Sequence, residues 1–338
     1  MATYYGTYGQ KVQYLASDPS DPQIGQVWYN STSAVLKVRS ATTAGTWASG
    51  GTMNTARFSL AGSGTQTAAL AFGGTTSGGT PGNIPGATEK YDGTTWTNTG
   101  TMNTGRFGLA GAGTQTATIA ATGGTNGGAP TSPSNASESF NGTSWTSTSP
   151  INTTRRNARG TGLQTAALIF GGQVDGASPN KSAATESWNG SSWTTVNSLN
   201  TARRDSGGAG LQTAALAFGG GAAPGTTGAT ESWNGTSWTT LPATMNTTRG
   251  YLGGCGTQTA AIAFGGDAPP ARNATELWNG TSWTSNPNSM ALGRNDLASS
   301  GTQASALASG GNAVPGIQAT TEEFTGPGVE ETQTVTVS

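Results

Sequence analysis

Arg57-Phe-Ser-Leu-Ala-Gly-Ser-Gly-Thr-Gln66-Thr-Ala-Ala-Leu-Ala-Phe-Gly-Gly74 opens a stretch that runs on to Thr88-Glu-Lys-Tyr-Asp-Gly-Thr-Thr-Trp96 and then begins again. Its glutamine recurs as Gln115, Gln164, Gln212, Gln258 and Gln303, at spacings of 49, 49, 48, 46 and 45 residues. Nine residues before each glutamine stands an arginine: Arg57, Arg106, Arg155, Arg203, Arg249 and Arg294. Seven or eight residues after it a double glycine begins, at Gly73, Gly123, Gly171, Gly219, Gly265 and Gly310. Each copy then reaches a glutamate: Glu89, Glu138, Glu186, Glu231, Glu276 and Glu322. Two residues on is an aromatic (Tyr91, Phe140, Trp188, Trp233, Trp278, Phe324), and five copies add Trp96, Trp145, Trp193, Trp238 or Trp283.

Each unit reads as four short strands. The first holds Leu60-Ala-Gly62, the second Thr67 to Phe72, the third Thr88 to Tyr91, and the fourth carries the tryptophan. The apolar second strand is too short for a helix and is bounded by glycine. Asp92-Gly93, Asn141-Gly142 and Asn234-Gly235 separate the third strand from the fourth. Asn-Gly and Asp-Gly are hairpin signals, because both central residues of a type I′ turn need positive φ. A four-stranded unit repeated at this period points to an all-β propeller.

The combined pattern resembles the kelch repeat: arginine ahead of the first strand, a hydrophobic strand ending in Gly-Gly, an aromatic, then a spaced tryptophan. The likeness spans Trp47 to Phe324, with more Thr, Ala and Gly than kelch proteins often carry. It implies a six-bladed propeller of four-stranded blades. The sixth copy has Val329 where its tryptophan is due, while Trp47 stands unclaimed ahead of the first arginine. The strand of Trp47 is therefore expected to complete the last blade and hide two sheet edges. The expected domains are an N-terminal hairpin and attachment segment over residues 1–42, the propeller over 43–328 and an extended tail over 329–338.

Gly25-Gln-Val-Trp-Tyr-Asn30, a polar turn and Ala34-Val-Leu-Lys-Val38 read as a β-hairpin appended to the repeats. This phrase resembles segments common in tail-fibre and other virion proteins of tailed bacteriophages. The resemblance implies a virion structural protein, a tail fibre or particle-surface component. Its expected partners are other virion proteins, a host-surface receptor or glycan, or further copies of the chain. The alternative is a non-viral kelch scaffold or carbohydrate-binding module.

Charge narrows the field. Fifteen Lys+Arg against 16 Asp+Glu leave a net charge of −1, without the basic excess that duplex nucleic acid or an anionic membrane demands. Met1 to Leu15 has no basic and apolar pattern of a signal peptide, and no apolar run is long enough to span a bilayer. The expected location is the extracellular virion.

Chemistry is mostly argued away. A catalytic carboxylate pair breaks the symmetry of a ring, whereas a glutamate in every copy is architectural, and a buried one needs a partner such as the repeated arginine. With no histidine and one cysteine, neither a zinc site nor a thiol nucleophile is expected. Cys255 takes a place held by Ala or Gly in other copies and reads as a small buried residue. Asp175, Asp267 and Asp296 lack the spacing of a calcium loop. The glycine-rich run from Gly73 lacks the Lys-Ser/Thr of a phosphate loop. No cofactor, metal or catalytic residue is expected, so the chain reads as a non-enzyme.

What varies between copies is the segment between the second and third strands: residues 75–87, 125–136, 173–184, 221–229, 267–274 and 312–320. Variable loops on a rigid frame are where binding resides. Three arginines also break the repeat: Arg156 and Arg204, where other copies have Phe58, Phe107, Gly250 or Asn295, and Arg159. All three are expected beside the loops as partner-binding residues, since the planar guanidinium pairs with carboxylates and sugar hydroxyls.

Overall fold

The computed structural model describes residues 12–22, 25–41, 44–76, 85–125, 132–175, 180–267, 272–314, 316–328 and 330–335. Residues 1–11, the expected boundaries at 43 and 329, and Val329 lie outside the described residues. So do parts of five of the six variable segments; only residues 221–229 are described throughout. Among the described residues there is no helix, and strands form seven four-stranded sheets and one two-stranded ribbon. Two compact units result: Trp47–Phe324, and the described residues of Met1–Thr46 with those of Thr325–Ser338.

The larger unit contains six sheets, one per repeat, an arrangement consistent with a β-propeller. The first is Ala61–Gly64, Ala69–Phe72, Thr88–Tyr91 and Trp96–Thr99, paired antiparallel in chain order. Its second strand, Ala-Leu-Ala-Phe, is buried at every residue, because sheets cover both of its faces. The fourth strand buries only Trp96 and turns Thr97 and Asn98 outward. In the sixth sheet Ala298–Gly301, Ser305–Ser309 and Thr321–Thr325 are joined by the N-terminal strand Thr46–Ser49, which brings Trp47.

The turns between third and fourth strands depart from type I′. Gly93 has φ +95°, but Asp92 keeps a negative φ, as do Asn141, Asn189, Asn234 and Asn279. These residues act through their side chains. Asp92 Oδ1 accepts from the N–H groups of Thr94 at 2.8 Å and Thr95 at 2.7 Å. The four asparagines do the same for the residues two and three positions on. An Asx turn satisfies two backbone donors, so the strand ends are held without forcing a second residue into the left-handed region.

Consecutive sheets are joined by two repeated side-chain bonds. Gln115 donates from Nε2 to the carbonyls of Ala69 and Tyr91 in the preceding sheet, and Gln164, Gln212, Gln258 and Gln303 do likewise. Gln66, in the first sheet, donates to Ala306 and Phe324 in the sixth. The outer tryptophans repeat the scheme through Nε1, from Trp145 to Thr88, Trp193 to Ser137, Trp238 to Thr185 and Trp283 to Thr230. Trp47 donates to Thr275 in the fifth sheet, and Trp96 to Thr321 in the sixth.

Apolar packing follows the same order. Phe72 and Leu70 of the first sheet meet Leu109, Phe140 and Trp145 of the second, with the Phe72 and Trp145 rings 5.1 Å apart. Clusters of this kind lie between each later pair, and Leu60, Tyr91 and Trp96 meet Ala298 and Leu307 of the sixth sheet. Glycine and alanine in the first strands let backbones approach: a Cβ on Gly62 would stand 2.8 Å from the Ser299 carbonyl oxygen. The first strands of neighbouring sheets touch in sequence, and that of the sixth touches that of the first.

The smaller unit is one sheet in the order Gln13–Leu15, Val27–Asn30, Val35–Ala41, Glu330–Val335. The first pair is parallel and the others antiparallel, so the expected hairpin is the middle of a larger sheet. The tail is its fourth strand, with Ala41 opposite Glu330 and Leu36 opposite Val335. Trp28 is fully buried, and Asp18 ties the sheet by accepting from Lys37 at 2.6 Å, Asn30 at 2.7 Å and Trp28 at 3.0 Å. Those bonds, Lys37 first, hold the Asp18 carboxyl down at about 2.

Trp96→Ala removes a buried ring and its bond to Thr321, and is expected to cost about 3–5 kcal/mol in denaturant unfolding of the larger unit. Trp28→Ala lies in the other unit and is expected to leave that transition in place.

Candidate functional site

The six repeated arginines and glutamates form six buried ion pairs. Nη2 to Oε1 distances run from 2.5 Å for Arg203–Glu231 to 3.4 Å for Arg155–Glu186. Arg57–Glu89, Arg106–Glu138, Arg249–Glu276 and Arg294–Glu322 fall between. The second oxygen of every glutamate is engaged as well. Oε2 accepts at 2.7 Å from the N–H of Asn54, Asn103, Asn152, Asn200, Asn246 or Ala291, in the connection ahead of the arginine. The guanidiniums also donate to strand-end carbonyls, such as Gly73 and Ala87 from Arg57. Burial pulls each guanidinium below its ordinary value and the glutamate charge pushes back.

The residue two positions beyond each arginine builds a different feature. Ser59, Gly108, Asn157, Asp205, Tyr251 and Asp296 all have left-handed backbones, with φ between 52° and 57°. Their peptides bond to one another in a cycle. Gly108 N–H donates to Ser59, Asn157 to Gly108, Asp205 to Asn157, Tyr251 to Asp205, Asp296 to Tyr251 and Ser59 to Asp296, over 2.6–3.0 Å. A tyrosine is costly at such a φ, and the cycle holds it there. A Cβ on Gly108 would lie 2.1 Å from Asn157 Oδ1, so a side chain there would displace the Asn157 amide. A cavity of about 60 Å³ opens at the centre of the cycle.

Beside this mouth the residue after each arginine bridges to the residue after the double glycine, pairing Phe58 with Thr75, Arg156 with Gln173 and Arg204 with Gly221, except in the second copy, where Phe107 meets Gly124 of the glycine pair itself. The variable segments therefore start from the same face. Arg204 donates from Nη1 to Gln173 Oε1 at 2.7 Å, lies 5.8 Å from the Tyr251 ring centroid, and places Nε 3.6 Å from Asp205 Oδ2. Arg156 is near enough to act on the Asp205 carboxyl. Arg204, Arg156, Asp205, Tyr251 and Gln173 thus form one polar cluster from the third, fourth and fifth repeats.

Arg159 makes no bond to them, although it lines the cavity at the mouth together with Asp205, Tyr251 and Asp296. It is the first residue of the strand Arg159–Leu163, and its long side chain reaches Gly254 and Ser299 in the fifth and sixth sheets, where it lines a second cavity. Cys255 lines the same cavity, buried, with its thiol pushed up to about 12 by burial. Asp175, Asp267 and Asp296 belong to no group of three potential metal ligands among the described residues.

Two aspartates at the mouth were not among the expected binding residues. Burial, then the Asp296 charge, raises the Asp205 carboxyl well above its ordinary value, against the pull of Arg204 and a bond to Tyr251. Burial also lifts Asp296 to about 7, opposed by a bond from Ser59. Tyr251 is pushed up to about 12, by burial and then Asp205. The signal was present in the sequence: the position holds Ser, Gly, Asn, Asp, Tyr and Asp in the six copies. A place that keeps its backbone while its side chain takes five identities in six copies is not fixed by the repeat's packing.

A carboxyl whose folded value is raised binds its proton more tightly in the native state than in the unfolded one. Its stabilising contribution is present below the unfolded value near 4 and is lost as pH rises through about 7. Asp296→Asn is therefore expected to raise the melting temperature at pH 8 by about 2–4 °C and to leave it nearly unchanged at pH 4. Melting curves of the two proteins across that range check it.

Comparison with protein-family models and with curated proteins finds no match to this chain.

Proposed function

We propose that the six repeats form a closed, six-bladed propeller of the kelch type, and that the chain is a bacteriophage virion structural protein. In this reading it is a tail fibre or particle-surface component whose loop-bearing face binds a host receptor, a surface glycan or an adjoining subunit. Closure is supported by the bonds of Gln66 and Trp96 to the sixth sheet, and by the N-terminal strand in that sheet. The virion assignment is supported by the likeness of residues 25–38 to tail-fibre segments.

One observation carries the binding role. Every repeated charge is used up in a buried pair, whereas Arg156, Arg204, Asp205, Tyr251 and Asp296, which belong to no such pair, gather around one mouth. An interface needs such residues at the surface, arginine and tyrosine above all. Frame and binding surface are thus separate sets of positions on one repeat.

Closure is tested by two truncations that both end at residue 326. One starts at residue 45 and keeps the strand Thr46–Ser49; the other starts at residue 51 and lacks it. The first is expected to melt cooperatively and the second to lose that transition, since it exposes two sheet edges. Equal melting of both would refute closure.

The virion role is tested by mass spectrometry of purified particles, in which this chain is expected as a stoichiometric component. In particles carrying Arg156→Ser and Arg204→Ser, adsorption to host cells or retention of the neighbouring subunit is expected to fall about tenfold, with a melting temperature within a few degrees of the parent. Absence of the chain from particles would overturn the assignment.

A further inference from the structure

Seven arginines of the larger unit reach inward among the described residues, six of them fully buried and Arg159 half-buried. Six have a glutamate within 3.4 Å. Arg159 has none: among the described residues no carboxylate lies within ion-pair distance of it. It is also unique in the repeat, since the same register holds Ala61, Ala110, Gly207, Gly253 and Ala298 in the other copies.

Its side chain enters a cavity of about 100 Å³ bounded by the first strands of all six sheets. Nη2 donates to the Gly254 carbonyl and, at 2.6 Å, to the Ser299 hydroxyl, which itself donates to Gly254. Nε is buried with no hydrogen-bond partner. The remaining lining is glycine, alanine, serine, threonine and Cys255. Cys255 is the titratable group that acts on Arg159, and its raised thiol is uncharged at neutral pH. Burial lowers the Arg159 guanidinium from its ordinary value, yet arginine keeps its proton in proteins. The cavity therefore holds one positive charge and no negative one. A half-buried charge drawn this far from water favours a counter-charge, and each of the six fully buried guanidiniums has one in its carboxylate.

We propose that this cavity is a binding site for one small monovalent anion, of the halide, nitrate or formate class, seated against the Arg159 guanidinium. The ion supplies the charge that the glutamates supply to the other six arginines. The short side chains of the lining leave it room. Bound there, it neutralises a side chain that links the third sheet to the fifth and sixth, and so stiffens the assembly from within. The site needs only the first strands around the cavity, and it stands whether or not the protein belongs to a virion.

The test uses the whole chain and bromide. At constant ionic strength and pH 7, exchange of gluconate for bromide or nitrate is expected to raise the melting temperature of the parent protein by about 2–4 °C, by preferential binding to the native state. In Arg159→Gln the rise is expected to fall below about 1 °C. Crystals of the parent protein grown in bromide are expected to show an anomalous peak beside the guanidinium. That map and the parent melting series need no variant, so they decide the matter even if Arg159→Gln fails to fold. A cavity with no anomalous peak, no anion preference in the parent protein, or an equal preference in Arg159→Gln would overturn the proposal.

Discussion

A guanidinium and a carboxylate with almost no exposed surface face each other at the same place in six successive sheets, and the rest of the larger unit is organised around them. In water such a pair is worth little, and in a protein interior its desolvation offsets much of the attraction. Its consequence is geometric. Through Arg57 and Glu89 alone, the ends of the second and third strands and the connection at Asn54 are tied to one point. Loss of either partner leaves a buried charge, so the register of each repeat is guarded by a penalty much larger than the net value of the bond.

That constraint explains a composition otherwise short of large apolar side chains. Charged residues are 9% of the chain and aromatic ones 7%, yet the core is well filled. Phenylalanine and tryptophan are spent where two sheets meet, as at Phe72 with Trp145 or Phe218 with Trp283. Glycine and alanine are placed where backbones converge in the first strands. The polar ends of the rings are not wasted, since each outer indole N–H finds a hydroxyl in the preceding sheet. Aromatic rings at such interfaces supply area and a directed bond together.

Much of this was legible before any coordinates. The strands at Thr88–Tyr91 and Trp96–Thr99 start where the glutamate and tryptophan spacings place them. The turn at Asp92 was read as a turn, but its mechanism was not: a loop of four residues allows the carboxylate to cap two N–H groups, and a two-residue loop would not. Residues 25–38 read as a hairpin appended to the repeats, and Gln13–Leu15 and Glu330–Val335 extend it to four strands. Tail pairing of that kind joins chain ends about 300 residues apart, and alternation of Thr and Val names a strand without naming its partner.

The sequence by itself determined what repeats: the period, the four strands per unit, the charge types that must meet within a unit, and the unclaimed Trp47. Those contacts are local to one period, so a spacing rule reports them. Only the tertiary structure decided what the non-repeating residues do. Arg156 and Arg159 are three positions apart in the chain, yet one acts on Asp205 in the polar cluster and the other reaches partners 95 and 140 residues away. Asp205 and Asp296 become mutually repelling neighbours although two repeats separate them. Such distances are set by the way six sheets pack around a common space, where small displacements accumulate from sheet to sheet, and no single repeat encodes that sum.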